Sequence, residues 1–148
     1  MATDKSKRGF DLDSYLFFWI GQIDRLYARS VTKALKPFDV NLTCWRILAL
    51  LHRMGSLTTT ELSDMSAIER SALGRTVDTM QASGLIRKVG RSDDQRMQDV
   101  EILEAGTRLY LEILPIVKRI NDHAIWNVSA ADLDRCISIL KDVRSNLS

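Results

Sequence analysis

The sequence predicts a mainly α-helical fold carrying one small β-hairpin, and three observations predict it. Long stretches at both ends repeat apolar residues at helical spacing. Two helix-start signatures follow each other closely in the middle. The pattern then changes to a period of two around an arginine-bearing loop. A short helix, a tight turn, a longer helix and a hairpin make a winged helix-turn-helix domain, here flanked by N- and C-terminal helices suited to dimerisation.

The first helix is expected over residues 12–35, where Leu12, Leu16, Trp19, Ile20, Ile23, Leu26, Tyr27, Val31, Ala34 and Leu35 recur at helical spacing. Asp11 or Asp13 caps its start, and Pro37 ends it, because proline disfavours the α conformation in the residue before it. So long a helix with so wide an apolar face needs a large partner surface, which in a small domain means a second subunit. A second helix follows over 43–53, with Ile47, Leu48, Leu50 and Leu51 facing inward and Gly55 closing it.

Thr58 with Glu61, and Ser66 with Glu69, each match a capping box. In such a box the hydroxyl and the acid three residues later bond each other's backbone amides. The first match opens a short helix through Met65, and the second opens a longer one to Ser83. Gly84 then takes the position after the helix, and Leu85 supplies the next apolar contact. Residues 85–89 read as a strand, and Val100 and Ile102 alternate with Asp99 and Glu101 in another, around a polar loop over 90–96. Helical spacing returns over 104–128, with Pro115 expected to kink the helix. Ser129 with Asp132 opens a last helix carrying Leu133, Cys136, Ile137, Leu140 and Leu147 on one face.

The resulting organisation is a flexible basic arm over residues 1–10 and one unit over 11–148. That unit divides into dimerisation helices over 11–36 and 104–147 and a winged-helix part over 40–103.

A length of 148 residues suits one compact domain, and 45% apolar with 27% charged residues excludes disorder and a disulfide scaffold. Cys44 and Cys136 have no pairing pattern, which predicts a reducing cytoplasm. The basic first residues lack the apolar run of a signal peptide, and no stretch approaches a membrane span. His52 and His123 are too few and too scattered for a metal site. The sequence has no P-loop, GxGxxG, GxSxG or HExxH pattern, so neither an enzyme nor a cofactor is expected.

The second capped helix has an apolar side (Leu73, Val77, Met80) and a polar side displaying Arg70, Ser71, Gly74, Arg75 and Asp78. With the apolar side docked, the other is free to enter a major groove. There arginine bonds guanine O6 and N7 in bidentate fashion, and small residues permit close approach. Ser71 and Thr76 are candidates for phosphate or base contacts, and Arg91 and Arg96 at the hairpin tip for a narrow minor groove. Between Glu69 and Arg96, six basic residues face four acidic ones, and the whole chain carries only +2. Arrangement therefore carries the reading, since bulk charge does not.

The chain resembles the MarR family of winged helix-turn-helix transcriptional regulators over nearly its whole length. The resemblance rests on the run from Trp45 to Leu48, the run from Ser71 to Asp78, Gly84-Leu85-Ile86, Asp94-Gln95-Arg96, the run from Val100 to Leu103, and Gly106. It implies that Asp94 braces the wing, that Arg96 enters the minor groove and that Arg75 is the reading arginine. It further implies a homodimer on a pseudo-palindromic operator in double-stranded DNA, with half-sites about 10 bp apart, and repression relieved by a small molecule. Two departures stand out: no proline lies near Asp93, and Glu104 replaces a capping threonine.

The family's ligand cleft falls here on Tyr15, Phe18, Trp19 and Gln22 of the first helix, with Trp45, Arg46 and His52 of the second. Aromatic rings with an arginine suit an aromatic carboxylate or phenolic compound. Phe18, Trp19 and Trp45 read equally as core, and Arg46 as the partner of Asp24. Cys44, at a helix start, is a candidate redox-sensing thiol, whereas Cys136 in its apolar stripe reads as core. A winged helix used for protein contacts is the remaining alternative.

Overall fold

The computed structural model describes residues 11–90 and 98–148. A short 3-10 turn over Leu12–Ser14 leads into α1 (Leu16–Leu35), followed by α2 (Leu42–Met54), β1 (Ser56–Thr58), α3 (Thr59–Ser66) and α4 (Arg70–Ala82). β2 (Ile86–Gly90), β3 (Gln98–Ile102), α5 (Glu104–Ala124) and α6 (Ala130–Asn146) complete it. The expected first helix is thus broken once: Tyr15 is extended (φ −90°, ψ 105°), and Asp11 caps the 3-10 turn by accepting the Asp13 amide.

The three strands form one antiparallel sheet in the order β1-β3-β2. β1 was not expected. Three residues are too few to show alternation, and Leu57 and Thr58 are buried only because β3 lies alongside, pairing Leu57 with Val100. The hairpin register places Arg87 opposite Glu101, and the two side chains form an ion pair at 2.7 Å.

The Thr58–Glu61 capping box is complete: the Thr58 hydroxyl accepts the Glu61 amide, and the Glu61 carboxylate accepts the Thr58 amide at 2.8 Å. The expected Ser66–Glu69 box is not formed. Ser66 ends α3 and donates to the Ser63 carbonyl, Ala67 takes a left-handed conformation (φ 55°), and α4 begins at Arg70 with Glu69 as its own cap. A left-handed residue between the two helices turns Ser66 away from the α4 amides.

Two apolar clusters hold the chain together. Ile47, Leu48 and Leu51 of α2 meet Leu62, Leu73, Val77 and Met80 under Ile86 and Val100 of the sheet. Beside them, Val31 and Leu35 of α1, Trp45 of α2 and Ile113 and Val117 of α5 form the second cluster. Burying each such side chain contributes about 1.5–3 kcal/mol, so α2, which joins both clusters, ties the outer helices to the helix-turn-helix. Pro115 lies inside α5, which runs on through it to Ala124.

α6 buries no residue. Cys136, expected in a core, is exposed, because no residue of its helix is buried within the one chain. Ile23, Leu26, Trp126, Ile139 and Leu147 are exposed as well.

Candidate nucleic-acid interface

α4 owes its position to its two ends and one face. Leu73, Val77 and Met80 recur at i, i+4 and i+7 and are almost fully buried against α2 and α3. At its C-terminus Gly84 (φ 71°) permits a Schellman motif: the Leu85 amide donates to the Met80 carbonyl and the Gly84 amide to the Gln81 carbonyl, each at 3.0 Å. At its N-terminus the Glu69 carboxylate accepts the Ser71 and Ala72 amides at 3.0 and 3.1 Å and the Ser71 hydroxyl as well. The Ser71 hydroxyl bond, then the two amide bonds, hold the Glu69 carboxyl below the usual carboxylate range.

The opposite face is open. Arg70, Ser71, Arg75, Asp78 and Thr79 are exposed, and Gly74 and Thr76 are half-buried beside them. Among the described residues neither the Arg70 nor the Arg75 guanidinium is held in an ion pair within 4 Å, whereas other arginines, Arg46 and Arg87, are. Thr76 and Thr79 turn their hydroxyls back to the Ala72 and Arg75 carbonyls at 3.1 and 3.0 Å, so the free donors of this face are the arginines. Lys88 of β2 pairs with Asp78, and its amide donates to Gln81 at 3.2 Å, which fastens the hairpin to α4. Arg91, Asp94 and Arg96 lie outside the described residues.

Gly74 adds an independent argument. A Cβ at this position would meet nothing within 4 Å, so no packing inside the chain calls for glycine there. Glycine in the middle of a helix costs about 0.5–1 kcal/mol relative to alanine. Gly74→Ala is therefore expected to raise the thermal midpoint slightly while weakening binding of any partner that approaches this face closely. Melting curves and duplex titrations on the same preparation check both halves. A stabilised variant with unchanged DNA affinity would remove Gly74 from the interface.

Of the sequence-derived effector residues, Trp45 is buried and stacks on Tyr110 of α5 (centroids 5.1 Å, planes 11° apart), and His52 stacks on Tyr110 as well, at 4.3 Å. Trp45 is therefore a core residue. Arg46 faces Asp24 at 3.5 Å, both partly exposed. Tyr15, Trp19 and Gln22 are exposed and Phe18 half-buried on the N-terminal half of α1, where the Trp19 indole donates to the Asp13 carbonyl at 3.0 Å. Two clefts of about 380 Å³ are lined by other residues: one by Asn41, Cys44, Arg75, Thr76 and Thr79 between α2 and α4, the other by Phe17, Ile20, Leu140 and Leu147 between α1 and α6.

Cys44 is not the low-pKa thiol expected of a helix start. Burial pushes it up to about 11, and its own amide is already capped by the Asn41 side chain at 2.8 Å. At neutral pH it is a protonated core thiol, which removes the basis for redox sensing there.

Two contributors went unrecognised in the sequence. Glu69 was hidden by its pairing with Ser66 in a capping-box pattern. Thr79 stands one helical turn beyond Arg75 on the same open face, and helical counting alone finds it.

Residues 38–97 match the family model described as MarR family. An HTH-type transcriptional repressor, IacR of Pseudomonas putida, is 22% identical over 97% of this chain and 86% of its own length. Among solved structures, a MarR-family regulator from Silicibacter pomeroyi superposes with a TM-score of 0.87 at 23% identity, covering 95% of this chain and 97% of that one. A mutant MarR from E. coli complexed with operator DNA gives a TM-score of 0.75 at 19% identity over 86% of this chain and 92% of that one. BpsR of Bordetella bronchiseptica, whose DNA binding is regulated by 6-hydroxynicotinic acid, gives 0.81 at 12% identity over 93% and 98% of the two chains. No helix among the described residues is long and apolar enough to cross a membrane.

Proposed function

We propose that this chain is a homodimeric transcriptional repressor of the MarR family that reads a pseudo-palindromic operator and lets go of it when a small molecule binds. The observation that carries the reading is the open face of α4, where among the described residues neither Arg70 nor Arg75 is held in an ion pair and a Cβ at Gly74 would meet nothing within 4 Å. Each α4 enters a major groove, Arg75 contacts base edges, and Ser71 and Thr76 lie along the groove wall. The repressor name of IacR and the operator complex of MarR support DNA as the partner.

Dimerisation is supported by the terminal helices. Trp126 is 78% exposed, Leu147 73% and Ile23 63%, and α6 buries nothing within its own chain. Apolar surface of that extent on the terminal helices calls for a partner, and a second copy supplies the same helices in return.

The effector reading rests on Arg46. Its 3.5 Å pairing with half-open Asp24 is the kind of surface ion pair worth about 0–1 kcal/mol, so an incoming carboxylate can replace Asp24 at little cost. The nearby aromatic rings of α1 suit an aromatic acid, and regulation of BpsR by 6-hydroxynicotinic acid supports that class.

The test is salt-dependent binding of the purified chain to duplex DNA from its own promoter region, against unrelated duplex. Competitor-resistant binding by two protomers per site, released by an aromatic acid, is the expected result. Weak binding equal on both duplexes and lost at moderate salt would instead identify a winged helix used for protein contacts.

A further inference from the structure

Glu69 is an unusual cap. An N-cap is most often a Ser, Thr, Asp or Asn whose side chain satisfies one amide. Here a longer carboxylate satisfies the amides of Ser71 and Ala72 together with the Ser71 hydroxyl. It does so while fully exposed at the end of the helix that the proposed function sends into the groove. Amides at a helix N-terminus, with the positive end of the helix dipole behind them, are a ready site for a phosphate. In this chain that site is filled from within by an anion.

We propose that Glu69 is a specificity-determining residue: it occupies the α4 amides that would otherwise anchor a DNA phosphate, so that sequence-independent backbone attraction is held down and base reading decides affinity. The inference rests on the DNA-reading role of α4.

Contacts to phosphate supply essentially all non-specific binding, whereas base contacts supply discrimination. A carboxylate at the tip of the reading helix repels every phosphate it approaches, whatever the sequence. On the correct site Arg75 is engaged by guanine and the repulsion is offset. On a wrong site it is not. Removing the charge therefore helps wrong sites more than the right one.

The experiment compares the full-length protein with Glu69→Gln, Glu69→Ser and Glu69→Asp on promoter and unrelated duplexes across a salt series. Serine retains a neutral cap and aspartate a charged one, so helix loss and charge loss are separated, with circular dichroism as the check on folding. Glu69→Gln and Glu69→Ser are expected to bind unrelated duplex about tenfold more tightly at low salt, to steepen the slope of log K against log salt by about 0.9, and to narrow the ratio between duplexes. Glu69→Asp is expected to keep the wild-type slope and ratio. Unchanged slope and ratio in the neutral variants, with the wild type still selecting its promoter, overturn this inference alone. A wild type that shows no preference for the promoter overturns the DNA-reading role and this inference with it.

Discussion

Arg75→Ala is expected to abolish preference for one base pair in each half-site, at a cost of about 1–3 kcal/mol per contact. One copy of the residue serves each half of a two-fold site, so promoter affinity is expected to fall on the order of a hundredfold or more while binding to unrelated duplex changes little. The fold should be untouched. Arg75 is exposed and holds no ion pair among the described residues, and the hydrogen bond from the Thr79 hydroxyl ends on its main-chain carbonyl and survives the substitution. Titration against a panel of operators, each altered at one base pair, measures the effect. Loss of affinity spread evenly over all sequences, with the salt slope reduced by about 1, would make Arg75 a phosphate contact. Unchanged affinity and selectivity would place the reading helix elsewhere.

Gly106→Ala is expected to destabilise the fold markedly. Gly106 is buried in the first turn of α5, where an added Cβ would collide with the Leu85 carbonyl oxygen and stand 2.9 Å from Ile102 Cγ1. That carbonyl also accepts the Leu103 amide at 2.9 Å, a bond that joins the start of β2 to the start of α5. Both neighbours belong to the join between the hairpin and α5, and the Leu85 carbonyl cannot yield without moving main chain. Overpacking of this kind costs about 1–3 kcal/mol and more when backbone must shift, against a gain of about 0.5–1 kcal/mol from replacing a helical glycine. For a chain of this size each kcal/mol moves the midpoint by about 2–4 °C, so a fall of several degrees is expected in a thermal melt. An unchanged or raised midpoint would show that α5 does not pack on the hairpin as described. The contrast with Gly74 is instructive: the same change in the same type of element has opposite expected signs, because one glycine faces backbone and the other faces open space.

Only neighbours in space distinguish those two glycines, and that difference runs through the whole molecule. Local chemistry was legible wherever one residue's requirement is met within a few positions. The Thr58–Glu61 box, the Gly84–Leu85 stop and the Ser129 cap of α6 all formed because donor and acceptor lie within one helical turn. The buried stripe of α4 followed from helical period for the same reason. The Ser66–Glu69 pattern satisfied the same rule and failed: Ala67 is left-handed between the two helices, and Glu69 itself caps α4.

What amino-acid order by itself determined is therefore the succession of helices and hairpin, the apolar face of each, and which arginines are left over. Periodicity and capping act over three or four residues and need no partner. Tertiary structure alone decided the rest. It paired β1 with β3 across more than forty residues of chain, buried Trp45 against Tyr110, raised the Cys44 thiol by desolvation and left Cys136 uncovered. It also set Glu69 rather than Ser66 at the head of α4. Burial and strand pairing depend on which surfaces meet, and that is settled only when the elements pack.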